Sequence, residues 1–265
     1  MASPRAYPDR ASVVEPNYFS NWGDLWYPRL ANRLLTTACR IEALTPTMVT
    51  LGSFALYLMA ASLVAFGGSF GVLAAVALPV SYTLDCLDGQ LARYTGRASA
   101  LGDYLDKTLD VLKIGVINLA MAVAAYHLTG QAYYFLLGLG SCFGFLFRYY
   151  IKLETIFGAT QRDAAYLAKS QARRRALYVT LDHERAAPKT TGGRVRWWWF
   201  RNQAIFALDE AEHVTFGALA VLVQRPDLWC WLFGVGQLAI ALYRLVERGR
   251  QLVNRPDSLT DPLRK

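Results

Sequence analysis

Six apolar stretches dominate the pattern of hydrophobic and polar positions along the chain. Each is about 20 residues long, the length that an α-helix needs to cross roughly 30 Å of hydrocarbon. Polar turns or charged segments separate the stretches, which makes each of them a span of its own. The pattern predicts an all-α integral membrane protein with six transmembrane helices, at 47–67, 71–93, 103–126, 132–151, 204–223 and 228–246.

Ahead of the first span, residues 17–44 mix aromatic and aliphatic side chains with arginines. Trp26 and Leu30 stand at helical spacing, and Arg29 and Arg33 follow toward the other edge. Such a pattern is typical of an amphipathic helix that lies in the membrane interface. A soluble packing helix has the same periodicity and is the alternative interpretation.

These elements divide the chain into three parts. Residues 1–46 form an N-terminal segment that contains the interfacial helix. Residues 47–246 form a six-helix domain, which includes a long polar loop at 152–203, and residues 247–265 form a tail. The loop is too long for a simple connection, and we expect a basic surface helix at 161–181 within it.

The chain carries a formal net charge of +8, from 28 Lys+Arg and 20 Asp+Glu. The excess is concentrated in the 152–203 loop, which holds 11 Lys/Arg against 4 Asp/Glu, and near both termini. Cytoplasmic segments of membrane proteins carry such an excess. We therefore expect the loop and both termini on the cytoplasmic side of a bacterial inner (plasma) membrane, in contact with membrane lipids, and we expect no nucleic-acid partner.

Two pairs of aspartates stand at the facing ends of the second and third predicted spans. Asp85 and Asp88 are three residues apart, and Asp106 and Asp110 are four apart. Each pair therefore lies on one face of its helix. A short turn joins the two helices, so the pairs can converge at the cytoplasmic end of the bundle. Carboxylates inside a membrane segment are costly, and they indicate function by default.

Four converging carboxylates need a counter-ion. Two of them about 4 Å apart repel by about 4 kcal/mol at an effective dielectric constant of about 20. One or two divalent cations are the usual relief. The ligands are all oxygen atoms, with no nearby metal-ligand spacing of His or Cys, which favours Mg²⁺ or Mn²⁺ over zinc.

The residues around these aspartates suit a nucleotide diphosphate. Gly89 lacks a side chain directly after Asp88, which lets a ligand approach the backbone. Ala92 has a small side chain on the same helix face, and Arg93 offers a guanidinium group to phosphate or ribose. Gly102 leaves space where the third span begins.

The full pattern is Asp85-x2-Asp88-Gly89-x2-Ala92-Arg93-x8-Gly102-x3-Asp106-x3-Asp110. It resembles the signature of the CDP-alcohol phosphotransferase (phosphatidyltransferase) family at all eight positions. The amphipathic entry helix, the segment TPTMVTL at 45–51 and the six helices also resemble that family. The last three helices and the basic loop match it in outline.

The resemblance implies roles for the signature residues. The four aspartates, Asp85, Asp88, Asp106 and Asp110, are expected to bind two Mg²⁺ (or Mn²⁺) ions. Asp110 is also expected to be the general base. The wall that binds the CDP group is expected to include Asp85, Asp88, Gly89, Ala92, Arg93 and Gly102.

The reaction that the resemblance implies moves a substituted phosphate from a CDP-alcohol, expected to be CDP-diacylglycerol, to the hydroxyl of a polar alcohol, with release of CMP. The segment TPTMVTL is similar to members that use inositol phosphate. Members that use glycerol phosphate, serine or choline-type alcohols share the motif, so the acceptor stays open and includes anionic alcohols. The resemblance also implies a homodimer formed through the membrane helices.

Further charged residues have two interpretations each. Arg148, Lys152 and Arg244 suit a pocket for an anionic acceptor, or they are cations that snorkel to the interface. The group at the start of the fifth span either supports the acceptor or metal site, or complements the helix dipole; it consists of Asp209, Glu210, Glu212 and His213. For Asp103, the helix-dipole interpretation is the better one.

Two other classes of protein compete with an enzyme. A cation-coupled transporter also uses intramembrane carboxylates, but it places them near the bilayer midplane and is built from repeated halves. A membrane adaptor uses a basic loop to bind anionic lipid, but it leaves the four aspartates, Gly89, Arg93 and Gly102 unexplained. The position and spacing of the acidic residues favour the enzyme.

Overall fold

The computed structural model describes residues 26–169, 172, 190–192 and 208–254. No strand occurs in these described residues, and the predicted all-α integral membrane fold is confirmed. A short 3₁₀ turn at Gly68–Phe70 follows the first long helix. The helices are α1 (Tyr27–Ala38), α2 (Pro46–Phe66), α3 (Gly71–Thr95), α4 (Ala100–Thr129), α5 (Tyr133–Arg162), α6 (Glu210–Leu222) and α7 (Pro226–Asn254).

Five helices in the described part of the chain are long and apolar enough to cross a membrane, namely α2, α3, α4, α5 and the Pro226–Arg250 part of α7. They correspond to five of the six predicted spans. Helix α5 continues to Arg162, well past the predicted end at residue 151. Hydropathy marks where a helix leaves the hydrocarbon, whereas the helix itself continues until its backbone hydrogen bonds end.

Helix α6 is shorter than the span predicted at 204–223. In the described residues it has 13 residues, which is about 20 Å at 1.5 Å per residue. A capping box fixes its start, because the backbone N–H of Asp209 donates to Glu212 Oε2 at 2.9 Å. Residues 204–207 lie outside the described residues, so a sixth crossing stays a prediction.

Helices α5 and α7 approach each other through glycines. A Cβ atom on Gly144 would lie 2.7 Å from the backbone carbonyl carbon of Gln237. A Cβ atom on Gly234 would lie 2.9 Å from the backbone oxygen of Leu137. Close backbone approach at small residues is a common way to join helices in a membrane, where the lipid offers no hydrophobic driving force.

Helix α1 is the described part of the amphipathic helix that was predicted at 17–44. It ends at Ala38, earlier than predicted, and residues 17–25 lie outside the described residues. Trp26, Leu30 and Leu34 are exposed on its outer side, while Ala31 and Leu35 are fully buried against the bundle. An exposed apolar edge of this kind suits contact with lipid.

Tyr27 joins α1 to the bundle. Its hydroxyl shares a hydrogen bond of 2.9 Å with Thr215 Oγ1 of α6, and its ring packs edge-on against Tyr82 at 4.9 Å between centroids. Burial raises the pKa of the Tyr27 phenol, so the hydroxyl keeps its proton at neutral pH. Gln90 of α3 adds a second link, because its Nε2 donates to the Pro28 carbonyl oxygen at 2.8 Å.

The predicted surface helix at 161–181 is interrupted in the structure. Helix α5 ends at Arg162, and Asp163 has an extended backbone. Most of the remainder of that predicted helix lies outside the described residues, as do residues 1–25 and 255–265.

Candidate metal and nucleotide site

A short turn between α3 and α4 sets the two aspartate pairs against each other. Gly96, directly after α3, has a φ of 65°, in the left-handed region that glycine adopts without strain. Ser99 then caps α4, because its Oγ accepts a hydrogen bond from the backbone N–H of Gly102 at 3.0 Å. The end of α3 and the start of α4 are thereby brought close enough for the carboxylates of the two pairs to meet.

The four aspartates lie together in two overlapping groups. Carboxylate oxygens of Asp85, Asp88 and Asp106 lie within 4.8 Å of one another. A second group of the same size consists of Asp85, Asp110 and Glu210. Asp85 belongs to both groups, so the four aspartates of the motif and one glutamate form a single carboxylate centre.

The two aspartates of α3 are shielded from the surroundings, whereas Asp106, Asp110 and Glu210 are partly exposed. Asp85 is 9% exposed and Asp88 is 5% exposed. Buried carboxylates are stable only when hydrogen bonds or opposite charges compensate them. The partners of these two side chains come from α2 and α4.

Helix α2 supplies two hydroxyl groups to the centre. Thr50 Oγ1 donates to Asp88 Oδ2 at 2.5 Å, and Ser53 Oγ donates to Asp85 Oδ1 at 3.3 Å. Thr50 belongs to the segment TPTMVTL at 45–51, so that segment contacts the aspartate motif directly. Sequence reasoning assigned neither hydroxyl to the site, because nothing along the chain indicates which face of α2 meets α3.

Lys113 is a residue of the centre that sequence reasoning missed. Its side chain is 3% exposed, and its Nζ donates to Asp85 Oδ1 at 2.5 Å and to Asp110 Oδ1 at 2.9 Å. Glu210 Oε1 lies 3.5 Å from the same nitrogen. The spacing contained a signal, since Lys113 follows Asp110 by three residues and Asp106 by seven, which places all three on one face of α4.

The group at the start of α6 divides between the two interpretations. Glu210 joins the carboxylate centre, which supports the site interpretation for this residue. Glu212 is buried and closes the capping box with Asp209, which fits the helix-terminus interpretation. His213 is fully buried, with its ring 4.2 Å from that of Phe233 between centroids and its Nδ1 2.9 Å from the Asp209 carbonyl oxygen.

The three basic residues considered for an acceptor pocket have acidic or aromatic neighbours. Arg148 forms an ion pair with Asp209, which ties α5 to the start of α6. Arg244 Nη1 donates to Glu247 at 2.8 Å, and Lys152 Nζ lies 5.8 Å from the centroid of the Tyr149 ring. The ion pair gives Arg148 a structural role, and the acceptor pocket stays a prediction.

The remaining signature residues lie on the same ends of α3 and α4. The guanidinium of Arg93 lies over Gly89, where an added Cβ would be 3.3 Å from Arg93 Nη1. Ala92 is half-buried on the next turn of the same helix. Gly102 stands in the first turn of α4, where an added Cβ would be 3.2 Å from Ser99 Oγ.

Asp103 stands apart from the carboxylate centre. Its side chain is 68% exposed, and it forms an ion pair of 2.7 Å with Lys107 one turn later on α4. It lies in the first turn of the helix, where a negative charge complements the helix dipole. This placement agrees with the interpretation given to Asp103 from the sequence.

The chemistry of the donor set fits divalent ions of the magnesium class. Among the described residues, the acidic ligands of the centre are carboxylates in two groups of three, and hard oxygen ligands suit Mg²⁺ or Mn²⁺. The first group consists of Asp85, Asp88 and Asp106, whereas the second group surrounds the Nζ of Lys113. The residues present therefore fit the metal site that the signature implies.

Comparison with known proteins matches residues 43–172 to the model of the CDP-alcohol phosphatidyltransferase family. This match covers just under half of the chain, so residues 43–172 resemble the CDP-alcohol phosphatidyltransferase family. The match covers α2 to α5 and all eight signature positions. Helices α6 and α7, including Glu210, lie beyond the part that matches the family.

Two curated relatives carry the same description. An archaetidylinositol phosphate synthase of Pyrococcus horikoshii is 38% identical over 80 residues, which are 30% of this chain and 42% of the relative. An archaetidylinositol phosphate synthase of Aeropyrum pernix is 38% identical over 50 residues, 19% of this chain and 26% of the relative. The matched part of the chain therefore spans less than half the length of either relative.

Proposed function

We propose that this chain is a membrane-embedded, metal-dependent transferase of phospholipid synthesis. It moves a substituted phosphate from a CDP-alcohol, with CDP-diacylglycerol as the donor, to the hydroxyl of a polar alcohol and releases CMP. The observation that carries this proposal is the partly buried centre in which Asp85, Asp88, Asp106 and Asp110 converge from two consecutive helices. The match of residues 43–172 to the model of the CDP-alcohol phosphatidyltransferase family supports the same chemistry.

In this proposal each signature residue has a defined task. Asp85, Asp88, Asp106 and Asp110 hold two Mg²⁺ (or Mn²⁺) ions. Such ions, when bound, neutralise charge on the pyrophosphate and on the departing CMP. The wall against which the CDP group binds is formed by Asp85, Asp88, Gly89, Ala92, Arg93 and Gly102.

Asp110 is the general base of the proposed reaction. Its carboxylate accepts the proton of the acceptor hydroxyl, whose oxygen attacks the β-phosphorus of the CDP-alcohol. The new phosphorus–oxygen bond forms as the bond between that phosphorus and the bridging oxygen breaks. CMP leaves with the electron pair of the broken bond. The Asp110 side chain is 30% exposed, which leaves it accessible to the acceptor hydroxyl.

For the acceptor, we propose an anionic polyol such as an inositol phosphate. The names of the two relatives favour this class. Helix α2 supports it in part, because the TPTMVTL segment contacts the aspartates through Thr50. Glycerol phosphate, serine and choline-type alcohols are the acceptors against which this proposal has to be tested.

We also propose the setting in which the enzyme works. The positive charge of the 152–203 loop and of both termini supports a carboxylate centre on the cytoplasmic face of a bacterial inner membrane. Water-soluble acceptors reach the centre from that side, while the lipid tail of the donor stays in the bilayer. A homodimer formed through the membrane helices belongs to the same proposal.

The experiment uses the purified full chain in proteoliposomes that contain CDP-diacylglycerol and Mg²⁺. Inositol phosphate, glycerol 3-phosphate, serine and choline are supplied in turn, CMP is quantified, and product lipids are identified by mass spectrometry. We expect one CMP for each new phospholipid, with inositol phosphate the best acceptor. If another of these alcohols supports the fastest CMP formation, that alcohol and not an inositol phosphate is the acceptor. No CMP with any acceptor, together with cation flux across the vesicle membrane, would favour the transporter instead.

A further inference from the structure

Lys113 and Glu210 lie in the carboxylate centre, but neither belongs to the eight-residue signature. The Nζ of Lys113 lies within 3.5 Å of carboxylate oxygens from three helices, namely Asp85 of α3, Asp110 of α4 and Glu210 of α6. At 3% exposure, its ammonium group has little access to water. A cation in this position depends on the surrounding carboxylates, and they depend on it.

The charges of these two residues cancel. In the part of the chain that the structure describes, the centre combines the four signature aspartates with Glu210 and the ammonium of Lys113. The four aspartates alone carry a formal charge of −4, which two divalent cations neutralise. Glu210 adds one negative charge and Lys113 adds one positive charge, so the balance with two divalent ions is preserved.

We propose that Lys113 is a permanent counter-ion of the carboxylate centre and that Glu210 is its matched acidic partner. Lys113 is a positioning residue, because it acts through Asp85 and Asp110. It holds the acidic ends of α3, α4 and α6 together before divalent ions bind. It also opposes the binding of those ions by electrostatic repulsion and by occupying oxygens of Asp85 and Asp110. The pair therefore sets the affinity for divalent ions, which deepens the proposed function and rests on it.

The test measures Mn²⁺ binding by electron paramagnetic resonance on the purified full chain, together with thermal unfolding without added metal. Lys113→Met is expected to lower the unfolding midpoint without metal and to tighten Mn²⁺ binding at least about tenfold. Glu210→Gln is expected to weaken Mn²⁺ binding about tenfold. The double variant Lys113→Met/Glu210→Gln is expected to bind Mn²⁺ within about threefold of the unmodified chain, because the two charges are removed together.

Lys107→Met is the matched control, since Lys107 lies on the same helix and pairs with exposed Asp103. It is expected to change neither Mn²⁺ binding nor the unfolding midpoint. A merely structural Lys113 would not tighten metal binding when it is removed. Unchanged or weakened Mn²⁺ binding by Lys113→Met therefore overturns the proposal. If Lys113→Met does not fold, the double variant decides the question. A double variant that does not fold, or that does not bind Mn²⁺, overturns the proposal as well.

CMP release is recorded in parallel, so that the two proposals can fail separately. Mn²⁺ binding that follows the expected order in the four variants, without CMP from any CDP-alcohol, would contradict the transferase and leave the counter-ion intact. Mg²⁺-dependent CMP release by the unmodified chain, with Mn²⁺ binding that is insensitive to Lys113→Met, would contradict the counter-ion alone.

Discussion

Thr50 donates its hydroxyl hydrogen to Asp88 Oδ2 across 2.5 Å, and this bond joins the second helix of the chain to the aspartate motif. Both groups are buried, with Thr50 4% exposed. A hydroxyl in this position fixes the direction in which the carboxylate points. The helix that enters the membrane ahead of the motif therefore takes part in orienting a proposed metal ligand.

Replacement of this hydroxyl is the first test of that relationship. Thr50→Val keeps the shape of the side chain but removes the hydrogen bond to Asp88. Loss of a group that orients a metal ligand typically costs 10- to 100-fold in metal affinity or activity. We expect a loss of about that size in CMP release at limiting Mg²⁺, while Thr50→Ser stays near the unmodified rate. Equal rates for Thr50→Val and Thr50→Ser would exclude this role for the hydroxyl.

The aspartates of the centre on α4 can be compared with Asp103, an exposed aspartate on the same helix. Asp106→Asn and Asp110→Asn are expected to lower CMP release at least about 100-fold, since each removes charge that stabilises the reacting phosphates. Asp103→Asn makes the same chemical change at a side chain that is 68% exposed, where a surface ion pair contributes at most about 1 kcal/mol. Asp103→Asn is expected to stay active. Unchanged CMP release in all three variants would contradict the proposed roles of Asp106 and Asp110.

A substitution at Gly89 tests the proposed wall against which the CDP group binds. A leucine at this position would push against the guanidinium of Arg93, which lies 3.3 Å from the position of an added Cβ. We expect CDP binding to weaken about 10- to 100-fold, as overpacking of a fitted site predicts. Equilibrium binding of CDP measures the change. Gly52→Leu is the control, because Gly52 is exposed on α2 with nothing within 4 Å of an added Cβ. Similar CDP affinity for both leucine variants would contradict the assignment of Gly89.

The contact between α5 and α7 leads to a prediction on stability alone. Gly144→Ala would place a Cβ 2.7 Å from the carbonyl carbon of Gln237, so the two helices must move apart. We expect a loss of about 1 to 3 kcal/mol in the free energy of unfolding, measured by denaturant titration in detergent. Gly158→Ala on the same helix meets no atom within 4 Å and is expected to be neutral or to stabilise by up to about 1 kcal/mol. A stable Gly144→Ala variant would mean that α5 and α7 are not packed this closely.

Much of the fold could be predicted from the sequence, because the bilayer imposes a length on its helices. Apolar stretches located α2, α3, α4, α5 and α7. The end of α5 was missed, because the hydropathy of the sequence does not show whether a helix continues beyond the apolar stretch into polar surroundings. The start of α6 at Glu210 was missed for a local reason. The capping box of Asp209 and Glu212 begins the helix at Glu210, whereas the apolar pattern begins earlier, at residue 204.

The candidate site was predictable only where its residues are close in the sequence. Helical spacing put Asp85 beside Asp88 and Asp106 beside Asp110, and the short turn brought the pairs together. Glu210 follows Asp110 by 100 residues, and only the packing of α6 against α3 and α4 brings it there. The link from Thr50 to Asp88 depends in the same way on the packing of α2 against α3.

The most direct test of the central claim is the dependence of CMP release on divalent ions. Proteoliposomes that contain the full chain and CDP-diacylglycerol are given the best acceptor and then titrated with EDTA and with Mg²⁺. The carboxylate centre predicts that CMP release stops when EDTA is in excess and returns when Mg²⁺ or Mn²⁺ is restored. CMP release that continues undiminished in excess EDTA would contradict a reaction supported by metal ions at Asp85, Asp88, Asp106 and Asp110.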